Sequence, residues 1–244
     1  MKQLCVYIAT LATLCSLLGT GVQAQELKEF SARYEASTNG MAGSARRFLT
    51  RLEDGRYRLT NRVRAELLGQ DVAQMEQSSE LALLDGGPQP FNYSYQISGI
   101  SNTTESISYF WSDNVAVSSE DDELTEIAID TGVQDPLSLQ LALRLAVIAN
   151  PDQEHYSFSV IDGDEIEVQE YRKVGKEILD TPLGQIAALR LDRVRREGSN
   201  RSTSIWLAQD WDYLLARIEQ VNASLKIELM LESATMADVS VTGL

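Results

Sequence analysis

Few residues in this chain could do chemistry. His155 is the single histidine. A Ser-His-Asp device would need it as the base, yet no Gly-x-Ser-x-Gly elbow accompanies it. The two cysteines, Cys5 and Cys15, stand close to the N-terminus, so the rest of the chain offers no thiol nucleophile and no thiolate ligand. One histidine without cysteines does not make a zinc site. There is no Walker loop and no dinucleotide fingerprint. Neither a metal, a cofactor nor a set of catalytic residues is therefore expected. Glu120-Asp121-Asp122-Glu123 could attract a hard cation, but it lacks the spaced ligands and glycine of a calcium loop and reads as a solvated loop. Carboxylate pairs can also act alone, as in glycosidases. Among 36 Asp and Glu residues no pair stands out.

Binding chemistry is better represented. Tyr93 and Tyr95 alternate with polar residues, and Trp206 and Trp211 fall on or beside expected strands. Rings at period two are ordinarily sheet core, but a concave sheet lined by them can hold an apolar ligand. One helix would face such a sheet. Asp135–Asn150 has Asp135 as N-cap, Pro136 in the first turn, and Asn150-Pro151 as its stop. Leu137, Leu141, Leu145 and Ile148 form one stripe, and Leu139, Leu143 and Val147 a second, nearly opposite. Gln140 and Arg144 make the one polar line. Such a helix should be buried almost all round, as a plug or lid against a curved sheet. The longer stripe, with Leu141, is expected to face the core, and Leu143 a groove. The candidate ligand-lining residues are Leu139, Leu143, Val147, Tyr93, Tyr95, Trp206 and Trp211.

The remaining segments read mostly as strands. Phe30, Ala32, Tyr34 and Ala36 alternate with polar residues; Asn39-Gly40, Glu53-Asp54-Gly55, Ser112-Asp113 and Asp162-Gly163 mark turns. Tyr57, Leu59 and Val63 share one side of a strand that Asn61 interrupts. Arg56, Arg58, Arg62 and Arg64 share the other, a row that reads as a solvated face paired with carboxylates rather than a binding strip. Ser233–Leu244 shows no clear pattern. Repeated hairpins without a linker predict a single all-β domain over 25–244. Its mainly antiparallel sheet should be strongly curved, a half-barrel or open barrel, with one main buried helix.

Residues 1–24 resemble a cleaved signal peptide: Lys2, an apolar stretch, then Val22-Gln23-Ala24 before Gln25. Cleavage there leaves 220 of the 244 residues and removes both cysteines. The mature protein would enter an oxidising compartment without disulfides, held by its core. Losing Lys2 takes the formal charge from −15 to −16. That balance disfavours nucleic acid as a partner.

Several short motifs occur in an order similar to that of an uncharacterised exported bacterial family, domain of unknown function 3108. They are Phe30-x-Ala32-x-Tyr34, Asp135-Pro136-Leu137-Ser138, Tyr171–Glu177, Thr181-Pro182-Leu183-Gly184, Ala188–Leu191, Ile205–Ala208, Tyr213-Leu214 and Arg217–Gln220. The family usually places a proline after the Tyr-Leu pair, where this chain has Leu215-Ala216. The resemblance implies a Gram-negative periplasmic protein and transfers no activity or site residue. By analogy of fold alone, a curved sheet with an apolar helix is similar to periplasmic lipoprotein carriers. The expected function is that of a non-catalytic periplasmic protein binding an apolar, lipid-like ligand. The alternatives are an envelope interaction or assembly protein with a filled core, and a carboxylate-dependent hydrolase.

Overall fold

The computed structural model describes residues 26–244 apart from 39–40, 68–69, 100–101, 122 and 224. The leader, the cleavage point, the Asn39-Gly40 turn and Asp122 lie outside the described residues.

Alternation of apolar and polar residues becomes strand throughout. The first half holds β1 (Phe30–Thr38), β2 (Met41–Arg51), β3 (Tyr57–Leu67), β4 (Gln70–Leu84), β5 (Gly87–Ser98), β6 (Thr103–Phe110), β7 (Val115–Glu120) and β8 (Glu123–Ala128). After the helix α1 (Ser138–Ala149) come β9 (His155–Asp162), β10 (Glu165–Thr181), β11 (Gly184–Arg193), β12 (Arg201–Ala208), β13 (Leu214–Asn222), β14 (Leu225–Met236) and β15 (Val239–Ser240). They form one antiparallel sheet in the order β8-β7-β6-β5-β4-β3-β2-β1-β14-β13-β12-β11-β10-β9, with β15 beside β14. Two meanders are thus joined where β14 pairs with β1. Register shifts at Arg33/Tyr34, Ala65/Glu66, Glu80/Leu81, Lys173/Gly175 and Trp206/Leu207 add local bends. The sheet curls strongly without closing, because β8 and β9 remain its two ends.

The segment between those ends stitches the gap. Gln134 makes a parallel bridge to Val160: its N–H donates to Ser159 O (2.9 Å), and its carbonyl accepts from Ile161 N (2.9 Å). Its side-chain amide reaches Pro88 O at 2.9 Å. The chain then turns into α1, which packs against β5 and β9. Asp135 Oδ1 accepts the N–H groups of Leu137 (2.8 Å) and Ser138 (2.7 Å), and Oδ2 accepts the Ser79 hydroxyl at 2.6 Å. The helix start is therefore capped and fastened to β4 by one buried carboxylate. At the other end the Tyr156 hydroxyl donates to Asn150 O at 2.8 Å.

Leu137, Leu139, Leu141, Leu143 and Val147 are all buried, while Leu145 and Ile148 of the longer stripe are half-buried. The tail, which shows no pattern in sequence, continues β14 to Met236 and returns as β15; Val241 is buried and Leu244 N–H donates to Gln185 O at 2.7 Å. No described helix is long and apolar enough to cross a membrane.

Candidate functional site

The inner face of β2 carries Ala45, Arg47 and Leu49, all buried. Strand parity thus sends a guanidinium into the core between two apolar neighbours. Opposite it, α1 turns its polar line inward. Arg47 Nη1 donates to Gln140 Oε1 at 2.5 Å, and Arg144 Nε donates to the backbone carbonyl of Asp212 at 2.7 Å. Arg144 also approaches Met236 Sδ at 3.9 Å and the Phe30 ring at 5.5 Å. Arg47 Nε is buried and has no hydrogen-bond partner. The carboxylate of Asp212 is turned away to Lys28, at 2.6 Å. Among the described residues neither Arg47 nor Arg144 forms an ion pair; their hydrogen bonds go to neutral acceptors.

A cavity of about 30 Å³ lies here, between Phe30, Arg47 and Leu59 on one side, Gln140, Leu141, Leu143 and Arg144 of α1, and Ile205, Leu207 and Tyr213–Leu215 on the other. That is room for a water or a small ion. Burial pushes Arg47 below its ordinary pKa and Arg144 down to about 10. The Tyr34 hydroxyl, which donates to Leu215 O at 2.9 Å, is pushed up to about 12 by burial, and the two arginines oppose that rise. Asp212 and Tyr213, next to Arg144, both hold positive φ (48° and 58°). Such conformations are uncommon for non-glycine residues, and the Arg144 contact helps fix them.

The residues expected to line a ligand site are spread over several places. Leu143 borders the cavity, and so does Leu141, the residue expected on the opposite, core side. The arc from Leu143 through Gln140 and Arg144 to Leu141 spans nearly half the helix, which is why one cavity meets both. Leu139 and Val147 are packed core. Tyr93 is buried, its hydroxyl accepting from Gln77 Nε2 at 3.1 Å; Gln77 Oε1 in turn accepts from Asn61 Nδ2 at 3.1 Å. This polar chain explains the Asn61 that interrupts its strand's apolar side. Tyr95 is half-buried beside the core. Trp206 lies on the outer face, opposite Ile205 and Leu207, where Arg190 and Arg217 cover it and Glu177 Oε2 accepts its N–H at 2.8 Å. Trp211 donates to Thr242 O at 3.1 Å and is held by the C-terminal segment.

The arginine row of β3 meets acids: Arg58–Glu80 at 2.5 Å, Arg62–Glu76 at 3.1 Å and Arg64–Asp71 at 3.9 Å, with Arg56 on Asp54 at 2.6 Å. His155 is exposed and contacts Glu170 at 2.5 Å. Among the described residues no group of three or more His, Cys, Asp or Glu is placed to hold a metal ion. Sequence reasoning missed the Arg47 site. The signal was there: Arg47 shares the parity of Ala45 and Leu49, as Asn61 shares that of Tyr57 and Leu59.

No curated protein matches this sequence. Among solved structures, a β-barrel-like protein of domain of unknown function DUF1849 from Brucella abortus is similar in fold, with a TM-score of 0.58 at 10% identity, over 88% of this chain and 100% of that one. The MucA/MucB complex of Pseudomonas aeruginosa aligns at a TM-score of 0.17 and 9% identity, over 87% of this chain and 90% of that one. The model of a family described as a protein of unknown function, DUF3108, matches residues 31–230. That span takes in both meanders and α1, and the chain belongs to the DUF3108 family.

Proposed function

We propose that this is a non-catalytic protein of the periplasm that binds an apolar, lipid-like ligand between α1 and the curved sheet. The observation that carries the reading is the wall under α1. Phe30, Leu59, Ile205 and Leu207, from β1, β3 and β12 inside the sheet rather than at its open ends, meet Leu141 and Leu143 of α1. An acyl chain does not fit in about 30 Å³. Entry requires α1 to move outward, with the ligand replacing the apolar contacts the helix gives up. Among the described residues the side-chain hydrogen bonds between the sheet or its loops and α1 residues are few: Arg47 to Gln140, and Arg144 to Asp212 and Met236. The signal-peptide-like leader supports the compartment. Native mass spectrometry of protein taken from the periplasm tests both points. The expected species begins at Gln25 and retains lipid. A bare mass, with no apolar dye displaced by lipid extract, rejects ligand binding.

The small cavity favours a second reading, an envelope interaction or assembly protein with a filled core. Its docking face would be the outer side of β1–β3, where Arg33, Arg46 and Arg62 stand in register and exposed. Envelope proteins co-purifying with the parent but not with an Arg33→Ser/Arg46→Ser variant would favour it.

A further inference from the structure

Two buried guanidinium groups border one cavity, and among the described residues neither forms an ion pair. Burying a charge is costly unless it is paired, and a site serving packing alone would be more stable with aliphatic side chains. Arg47 is 5% exposed and Arg144 8%. Arg144 keeps its proton at neutral pH even at about 10. Arg47 spends one hydrogen bond on Gln140, while its buried Nε is unpartnered. Both side chains border the same small cavity, whose remaining walls are mainly apolar.

We propose that Arg47 and Arg144 form an internal anion site that takes a carboxylate, with Arg47 Nε as its unused donor. A guanidinium offers N–H groups in a planar fork that matches the two oxygens of a carboxylate. The carboxylate comes either from a small free acid or from the acid head of an apolar chain. The second source rests on the ligand-binding reading above; the first does not.

The test uses the mature protein with acetate, laurate and lauryl alcohol as probes, followed by calorimetry and thermal unfolding. The expected result is that laurate binds at least about tenfold more tightly than lauryl alcohol, since the acid adds charge-assisted hydrogen bonds. Arg47→Met and Arg144→Met should each remove that preference, while Arg46→Met, which alters the adjacent outward-facing arginine, should keep it. Acetate that stabilises the parent but not Arg47→Met, with neither long chain bound, supports the anion site for a free acid and rejects the apolar-ligand reading. Laurate and lauryl alcohol bound equally, with acetate inert, reject the anion site and leave the apolar-ligand reading standing. No response to any of the three rejects the anion site. Arg47→Met is expected to fold, having lost a buried charge. Should it not fold, Arg47→Lys serves instead: it keeps the charge but loses the fork, and should weaken the preference for laurate. An unchanged preference in a folded Arg47→Lys, with Arg144→Met also unchanged, overturns the proposal.

Discussion

The guanidinium carbon of Arg217 sits 4.5 Å from the centroid of the Trp206 ring. Arg190 stands 5.1 Å from the same ring, and the three residues are in register across β11, β12 and β13. Trp206 is 4% exposed although it lies on the outer face, because two arginines and their acids cover it. Such contacts contribute about 0.5–2 kcal/mol each. In a protein keeping Trp206 alone, with Trp111 and Trp211 changed to Phe, the indole should resist acrylamide. Arg217→Ala should raise its quenching severalfold and shift its emission to the red. Easy quenching in the unmodified arginine background would place Trp206 elsewhere.

The contrast between Trp206 and α1 shows what a sequence can reveal. The periodic elements are legible: β1 begins at Phe30, α1 occupies the expected segment, and turns fall at Asp54-Gly55 and Asp162-Gly163. Local alternation suffices for these, since each strand needs one apolar side. Which side Trp206 takes is not local. Trp206 and Leu207 are both buried, on opposite faces: Leu207 borders the cavity under α1, and Trp206 is covered by arginines of the neighbouring strands. The tail is likewise ordered by Gln185, whose carbonyl accepts the Leu244 N–H, and by β1, where Ala32 pairs with Ala234, both far from it in sequence. Arg47 was hidden because an arginine is read as exposed by default, and its partner Gln140 is 93 residues away.

Asp135 joins the helix start to β4, so its removal should act on both. Asp135→Ala strands two N–H groups and the Ser79 hydroxyl in a buried setting, which predicts a loss of about 2–3 kcal/mol. Asp135→Asn keeps an acceptor for the helix N–H groups and should cost less. Urea unfolding of both variants checks the order. Equal, small effects would mean that the cap is not formed.

Alkaline stability should report the buried tyrosines. Burial raises the pKa of Tyr93, Tyr109 and Tyr171, and takes Tyr34 from 10.0 to about 12. A raised folded-state pKa favours the neutral form in the fold. The stability it contributes is complete below the unfolded value near 10 and is lost as pH rises through the folded value. The expected result is a cooperative rise in tyrosinate absorbance above pH 10, coincident with loss of the β-sheet circular dichroism signal. Full ionisation near pH 10 with the dichroism intact would contradict the burial of these rings.

Leu141 and Leu143 give the sharpest test of the helix. They point about 200° apart on α1, yet both border the same cavity and both are buried, at 3% and 2% exposure. A helix with one side on a groove would lose little when that side is truncated. A helix enclosed as this one is should lose a packed side chain in either case. Leu141→Ala and Leu143→Ala are each predicted to cost about 2–5 kcal/mol, with similar values and an unchanged dependence on urea. Each truncation also enlarges a space that already reaches two arginines. Where the surroundings fail to collapse, water can enter and hydrate the guanidinium groups, which draws the cost toward the lower end of that range. Leu143→Ala costing well under about 2 kcal/mol while Leu141→Ala costs the full amount would instead show that the Leu143 side is loosely packed.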